Sequence, residues 1–197
     1  ELVDKGPDEV IAYRGRNRWV QIYQPAELPP VVENTIPVLR RGGVYLVTED
    51  YRGINAQLAL YIARELEAKL IIVTYTKLPA PQDRDKFLEE NGPNHPVSHL
   101  ITTVRELEKI KADILMIRAD IADQSQMDKI VRAACDRYDT IHGVILGAGM
   151  SVGEEGSGLM ALMGSLASKV RSARVLPEAF KDISLDFMVL CSSLSSE

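Results

Sequence analysis

A chain of 197 residues, 46% hydrophobic and 26% charged, is long enough to bury one sizeable core of α/β type. Its net charge of −5, with the few Lys and Arg interspersed among acids, argues against a nucleic-acid binder, and no apolar run approaches the length of a membrane span. No signal peptide opens the chain, so a cytoplasmic protein is expected.

Residues 1–37 differ in character from the rest of the chain. Two β-rich runs, Glu9 to Tyr13 and Arg18 to Tyr23, flank the turn Arg14-Gly15-Arg16-Asn17 and predict a β-hairpin. A lone hairpin is marginal in water, so this one is expected to lean on the main domain or on a partner segment. Trp19 with Tyr23 fits a packed hairpin face better than a stacking platform. Pro25, Pro29, Pro30 and Pro37 then make an extended connection to Gly42-Gly43.

Residues 38–197 carry the main fold. Val44 to Val47 is a short apolar run of the kind a covered parallel strand shows, and Ala56, Leu58, Ala59, Ile62, Ala63 and Leu66 continue at helical spacing. The segment between them reads as the first βα turn of a nucleotide fold, which normally carries glycines so that the backbone can approach a pyrophosphate. Here Glu49 and Asp50 place two carboxylates where two phosphates would come. At an effective dielectric near 20 and about 5 Å, each such pair costs roughly 3 kcal/mol, about a hundredfold in affinity. Arg52 could offset part of that, and a strand–turn–helix without a ligand is the plainer reading.

Lys69 to Thr74 is a second apolar strand, followed by Tyr75, Thr76 and Lys77 where a ribose or 2′-phosphate partner would stand. Lys77 could contact a phosphate or simply be solvated. Pro79 to Pro96 reads as a polar loop with a short helical piece near Phe87-Leu88, and its His95 and His99 have no third ligand, so no metal is expected. Ile101 to Ile110 is predicted as a helix, with Val104, Leu107 and Ile110 on one face, and Ile114 to Ile117 as a third strand. Asp120 comes at that strand's carboxyl end, placed either to accept from an adenine amine or to cap the helix beginning near Gln124 and continuing from Met127 to Tyr138.

Gly143 to Leu146, the fourth strand, ends in Gly147-Ala148-Gly149, small residues that let a ligand or a second backbone approach closely. Four βα steps in a row predict a Rossmann-like doubly wound parallel sheet. Ser151 to Ser157 is Gly/Ser/Glu-rich, as a lid would be. A helix from Leu159 comes next, with Leu162, Leu166 and Val170 as its core stripe and Lys169 on its later turns. A fifth strand, Phe187 to Cys191, leads into Ser192-Ser193. Cys135 and Cys191 lack metal-ligand or redox spacing and are expected as buried free thiols.

Taken together, Arg41 to Thr48, Arg118 to Asp123, His142 to Gly149 and Leu185 to Ser193 resemble the strands and loops of a ketoreductase domain of a modular polyketide synthase, a short-chain dehydrogenase/reductase relative. The hairpin is similar to the tail of that family's structural subdomain. The resemblance implies a lysine, a serine and a tyrosine acting on a β-ketone held by a carrier protein, with hydride from NADPH. Lys169 and Ser193 match the lysine and serine, whereas the tyrosine, expected about a dozen residues past Ser193, falls outside this sequence, in a segment cut from it or supplied from elsewhere. Without that acid the usual gain of 100-fold or more from acid–base catalysis is lost.

The family positions for cofactor are Thr48, Gly53, Asp120, Gly147, Ala148 and Gly149. In the turn pattern Thr-Gly-x-x-x-Gly-x-Gly only Gly53 survives of the glycines, with Glu49 and Asn55 in place of the others. Tyr75 stands where an arginine usually meets the 2′-phosphate, and Leu146 replaces a common histidine. The resemblance therefore implies a pseudo-ketoreductase, a scaffold without NADPH whose Lys169 and Ser193 are relics. Its expected partners are other synthase domains: ketoreductase segments outside this chain, a C-methyltransferase and a carrier protein. The alternative is an NADPH-dependent β-ketoacyl reductase in which Arg52 and Lys77 compensate for the lost glycines.

Overall fold

The computed structural model describes residues 11–22, 24–25, 27, 38–48, 54–147 and 170–191. The chain divides into two compact units, Glu1–Thr35 and Ile36–Glu197. The first holds an antiparallel hairpin, β1 (Ile11–Arg14) and β2 (Asn17–Val20), paired from Ile11↔Val20 to Arg14↔Asn17. Gly15 takes φ +63° in its two-residue turn, a conformation that favours glycine. Trp19 pairs with Ala12 and is 58% exposed. Tyr23, Pro29, Pro30 and Pro37 lie outside the described residues.

In the second unit five parallel strands, β3 (Val44–Thr48), β4 (Lys69–Thr74), β5 (Ile114–Arg118), β6 (Gly143–Leu146) and β7 (Phe187–Leu190), form one sheet in the order β5-β4-β3-β6-β7. The chain winds outward through β3, β4 and β5, then returns to add β6 and β7 on the other side of β3. This is the doubly wound Rossmann-like arrangement, and its switch point lies between β3 and β6.

Continuous apolar runs form these strands because helices cover both faces of the sheet. Alternate residues point to opposite sides. Val44, Leu46, Ile71, Val73, Val144 and Leu146 pack with Met127, Ile130 and Ala134 of α4 (Gln124–Tyr138) and with Leu176 of α5, described over residues 170–179. Tyr45, Val47, Leu70, Ile72 and Ile145 pack on the other side against Ala59, Ile62 and Ala63 of α1 (Ile54–Leu66) and Leu107 of α3 (Pro96–Lys109).

Local chemistry moves several boundaries. The segment expected as a polar loop with a short helical piece near Phe87-Leu88 carries that piece as α2 (Arg84–Asn91), preceded by a 3-10 turn (Pro81–Asp83), and the first turn of α3 begins at the segment's end, five residues before Ile101. Pro96 occupies that first turn, where its missing N–H costs nothing, and His95 caps it by accepting from the Val97 N–H through Nδ1 at 3.2 Å. Asp123, not Asp120, caps α4, accepting from the Gln126 N–H at 3.0 Å. In α5, Val170 is 50% exposed, and the buried row is instead Ser172, Leu176 and Phe180, spaced by four. Leu159, Leu162, Leu166 and the Ser151 to Ser157 stretch lie outside the described residues. Cys135 and Cys191 form no disulfide and are only half-buried, which corrects the expectation of buried thiols. No described helix is long and apolar enough to cross a membrane.

Candidate functional site

Ligands of open α/β sheets sit beyond the carboxyl ends of the strands, at the switch point. Thr48 ends β3 and Gly147 follows β6, so the two face each other across that point. Their contact is direct: the Gly147 N–H donates to Thr48 Oγ1 at 2.8 Å, and Thr48 is fully buried. One backbone donor and one hydroxyl at the switch point therefore satisfy each other.

Asn55 is the second residue of α1 and is 1% exposed. Its Nδ2 donates to the Thr48 carbonyl oxygen at 2.9 Å, and its Oδ1 accepts from Cys191 Sγ at 3.3 Å. One side chain thus joins the first turn of α1 to the ends of β3 and β7. A buried amide is tolerable only when its polar atoms are paired, and both ends of this one are. In the glycine-rich turn the third glycine allows the helix to pack closely on the strand. Here a carboxamide fills that space, so the residues present do not fit an ordinary dinucleotide turn at this position. Sequence reasoning marked Asn55 as a lost glycine but missed its bond to Cys191, 136 residues away, for which no sequence signal exists.

The neighbouring strand ends carry the remaining family positions. Asp120 is half-buried after β5, and its Oδ1 accepts from the Ala122 N–H at 2.8 Å while its own N–H donates to Gln126 Oε1 at 3.0 Å. One carboxylate oxygen thus shapes the turn into α4. Beyond β4, Tyr75 is 38% exposed and Lys77 is exposed. Arg118, paired in register with Thr74, donates from Nε to the Tyr75 carbonyl at 3.0 Å, with its guanidinium 6.0 Å from the Tyr75 ring centroid. An arginine of the adjacent strand therefore stands beside position 75, a placement that only sheet register reveals.

Several perturbed titrations gather at the opposite, amino edge of the sheet. Burial raises the Tyr45 phenol, whose oxygen accepts from the Arg40 N–H at 2.6 Å, and burial together with Arg40 lowers His142. Tyr138 is pushed up to about 12, by burial first and then by its hydrogen bond to Asp113. For Asp113 burial acts upward, but the bonds from Arg137 at 2.7 Å and Tyr138 at 2.9 Å prevail and lower it. Tyr45, His142 and Asp113 stand at or just before the amino ends of β3, β6 and β5, away from the switch point, so these shifts mark structural pairing rather than a catalytic group.

Among the described residues no group of His, Cys, Asp and Glu could hold a metal. Glu49, Asp50, Arg52, Gly53, Ala148, Gly149, Lys169 and Ser193 lie outside the described residues. Of the expected cofactor positions, the structure places Thr48, Asp120 and Gly147 along the carboxyl edge, each engaged by a neighbour.

The model of the KR domain family matches residues 43–197. The polyketide synthase PksM of Bacillus subtilis (strain 168) is 25% identical over 194 residues, which cover 96% of this chain and 4% of that protein. Among solved structures, a ketoreductase domain from the bacillaene assembly line aligns with a TM-score of 0.65 and 24% identity, over 94% of this chain and 40% of that one. An N-terminal ketoreductase from the macrolactin assembly line gives 0.59 and 20%, over 91% and 32%. The chain thus spans a small part of the synthase it matches and less than half of each ketoreductase chain. With the matched segment taking in all five described strands of the parallel sheet and most of the chain, the chain belongs to the KR domain family, the short-chain-reductase-like ketoreductase domains of polyketide synthases.

Proposed function

We propose that this chain is a non-catalytic ketoreductase-like scaffold domain of a polyketide synthase, one that keeps the fold without taking up NADPH. The observation that carries the reading is Asn55: buried, bonded at both ends of its carboxamide, and standing where the cofactor turn has its third glycine. A residue so placed contributes to holding the domain together, which a scaffold needs, and occupies space that a dinucleotide turn leaves open. Tyr75 and the carboxylates Glu49 and Asp50 point the same way by sequence position. The scaffold's partners are then other domains of the synthase, including ketoreductase segments outside this chain, a carrier protein and a C-methyltransferase. The hairpin of residues 11–20 belongs in this reading to a structural subdomain.

The test is made in the intact synthase. Substituting Lys169→Ala and Ser193→Ala together leaves the product unchanged if both are relics. A product that keeps a ketone where the parent enzyme delivers a β-hydroxyl or its dehydrated form would overturn the reading. One observation favours the rival, an NADPH-dependent β-ketoacyl reductase: Arg118 places a guanidinium against Tyr75, at the end of β4 where a 2′-phosphate partner belongs.

A further inference from the structure

Several features set this turn apart from a dinucleotide-binding one, and they are not equivalent. Tyr75 lies toward the ribose side and has Arg118 beside it. Glu49 and Asp50 oppose phosphates by charge, which neighbouring cations and salt weaken. Asn55 acts by volume and by bonds that stay inside the protein. Its carboxamide stands between the first turn of α1 and the strand ends, anchored on Thr48 and Cys191. Thr48 is itself fixed by the Gly147 N–H, so the anchor extends to β6. A closer approach of the first turn of α1 to the strand ends would meet this buried side chain, and expelling it would leave the Thr48 carbonyl without the Asn55 donor.

We infer that Asn55 is the specificity-determining residue of this turn: a hydrogen-bonded spacer that holds the α1 N-terminus off the ends of β3 and β7 and thereby excludes a dinucleotide pyrophosphate. The inference rests on the scaffold reading and adds to it the residue responsible. Charge on the turn is secondary to this spacer.

NADPH is titrated by nicotinamide fluorescence against the intact polypeptide carrying this chain, in parent form and as Asn55→Gly and Glu49→Gly, with the unfolding transition of each recorded. The parent shows no saturation at millimolar cofactor, Asn55→Gly binds at least tenfold more tightly, and Glu49→Gly gains less. If Asn55→Gly does not fold, Asn55→Ala, which removes the same two bonds and favours the helix, is titrated in its place under the same tenfold criterion. A folded Asn55 variant that binds no more tightly than the parent, or less tightly than Glu49→Gly, overturns the inference and leaves the scaffold reading standing. Micromolar binding by the parent overturns both.

Discussion

Gly143 offers a sharp test of how the sheet is packed. In register it lies between Tyr45 on β3 and Phe187 on β7, and those two rings stack with centroids 5.8 Å apart and planes 26° from parallel. A Cβ at position 143 would lie 2.4, 2.5 and 2.9 Å from the Phe187 ring carbons Cζ, Cε1 and Cε2. Ordinary carbon–carbon contact is about 3.5–4.0 Å, so the ring must move by roughly 1 Å or more. Tyr45 is fully buried and tethered to Arg40, so Phe187, half-buried on the outer strand, does the moving. Overpacking costs about 1–3 kcal/mol and a weakened stack about 0.5–1.5, while replacing a strand glycine by alanine returns about 0.5–1. Gly143→Ala is therefore expected to lose about 2 kcal/mol in urea unfolding, or roughly 4–8 °C in Tm for a chain of this size. In a Phe187→Ala background the obstacle is gone, and the same substitution should be neutral or stabilising by about 0.5 kcal/mol. Equal losses in both backgrounds, or no loss in the first, would refute the packing argument.

Capping and charge give two further expected outcomes. Asp123→Ala should lower stability by about 1 kcal/mol through loss of the α4 cap, whereas Asp123→Asn, which can still accept from the Gln126 N–H, should cost only a few tenths; equal costs would remove the cap as the cause. The Asp113 carboxyl is held below its usual value in the folded chain, so its contribution to stability is complete at neutral pH and fades as pH falls through and below about 4. Both Asp113 and Arg137 are close to half exposed, so the effect is a few tenths of a kcal/mol, read as a shallower acid limb in Asp113→Asn. An acid limb identical to the parent's would count against the pairing.

The fold was legible in the unbroken apolar runs of the sheet. The inner runs at Val44, Lys69 and Gly143 read as parallel strands because both faces of the sheet are covered there, leaving no polar alternation, and the outer runs at Ile114 and Phe187 keep the same apolar pattern although they are only partly buried. Helix starts were harder. Pro96 looked like part of a loop, yet proline is at home in a first helical turn, and the capping histidine beside it carried the signal. Asp120 and Asp123 both precede α4 at plausible capping distance, and only the backbone path decides between them. Val170 failed as a core position because the buried row of α5 runs through Ser172, Leu176 and Phe180, and a serine does not advertise burial.

At the site, sequence position alone was enough to mark Asn55 as anomalous. What it does there depends on Cys191, brought alongside only when β7 joins the sheet. Arg118 was invisible for the same reason, since its place beside Tyr75 comes from the pairing of β5 with β4. Contacts made across strands are properties of register, and register is settled by the whole core rather than by any one segment.

Whether this member of the KR domain family binds NADPH is tested most directly by calorimetric titration of the intact polypeptide with that cofactor. No heat of binding is predicted up to millimolar NADPH, from a protein that unfolds cooperatively. A saturating isotherm with a micromolar Kd would contradict the scaffold reading, and would mean that Arg118 and the turn around Asn55 hold a dinucleotide in a way their present hydrogen bonds do not suggest.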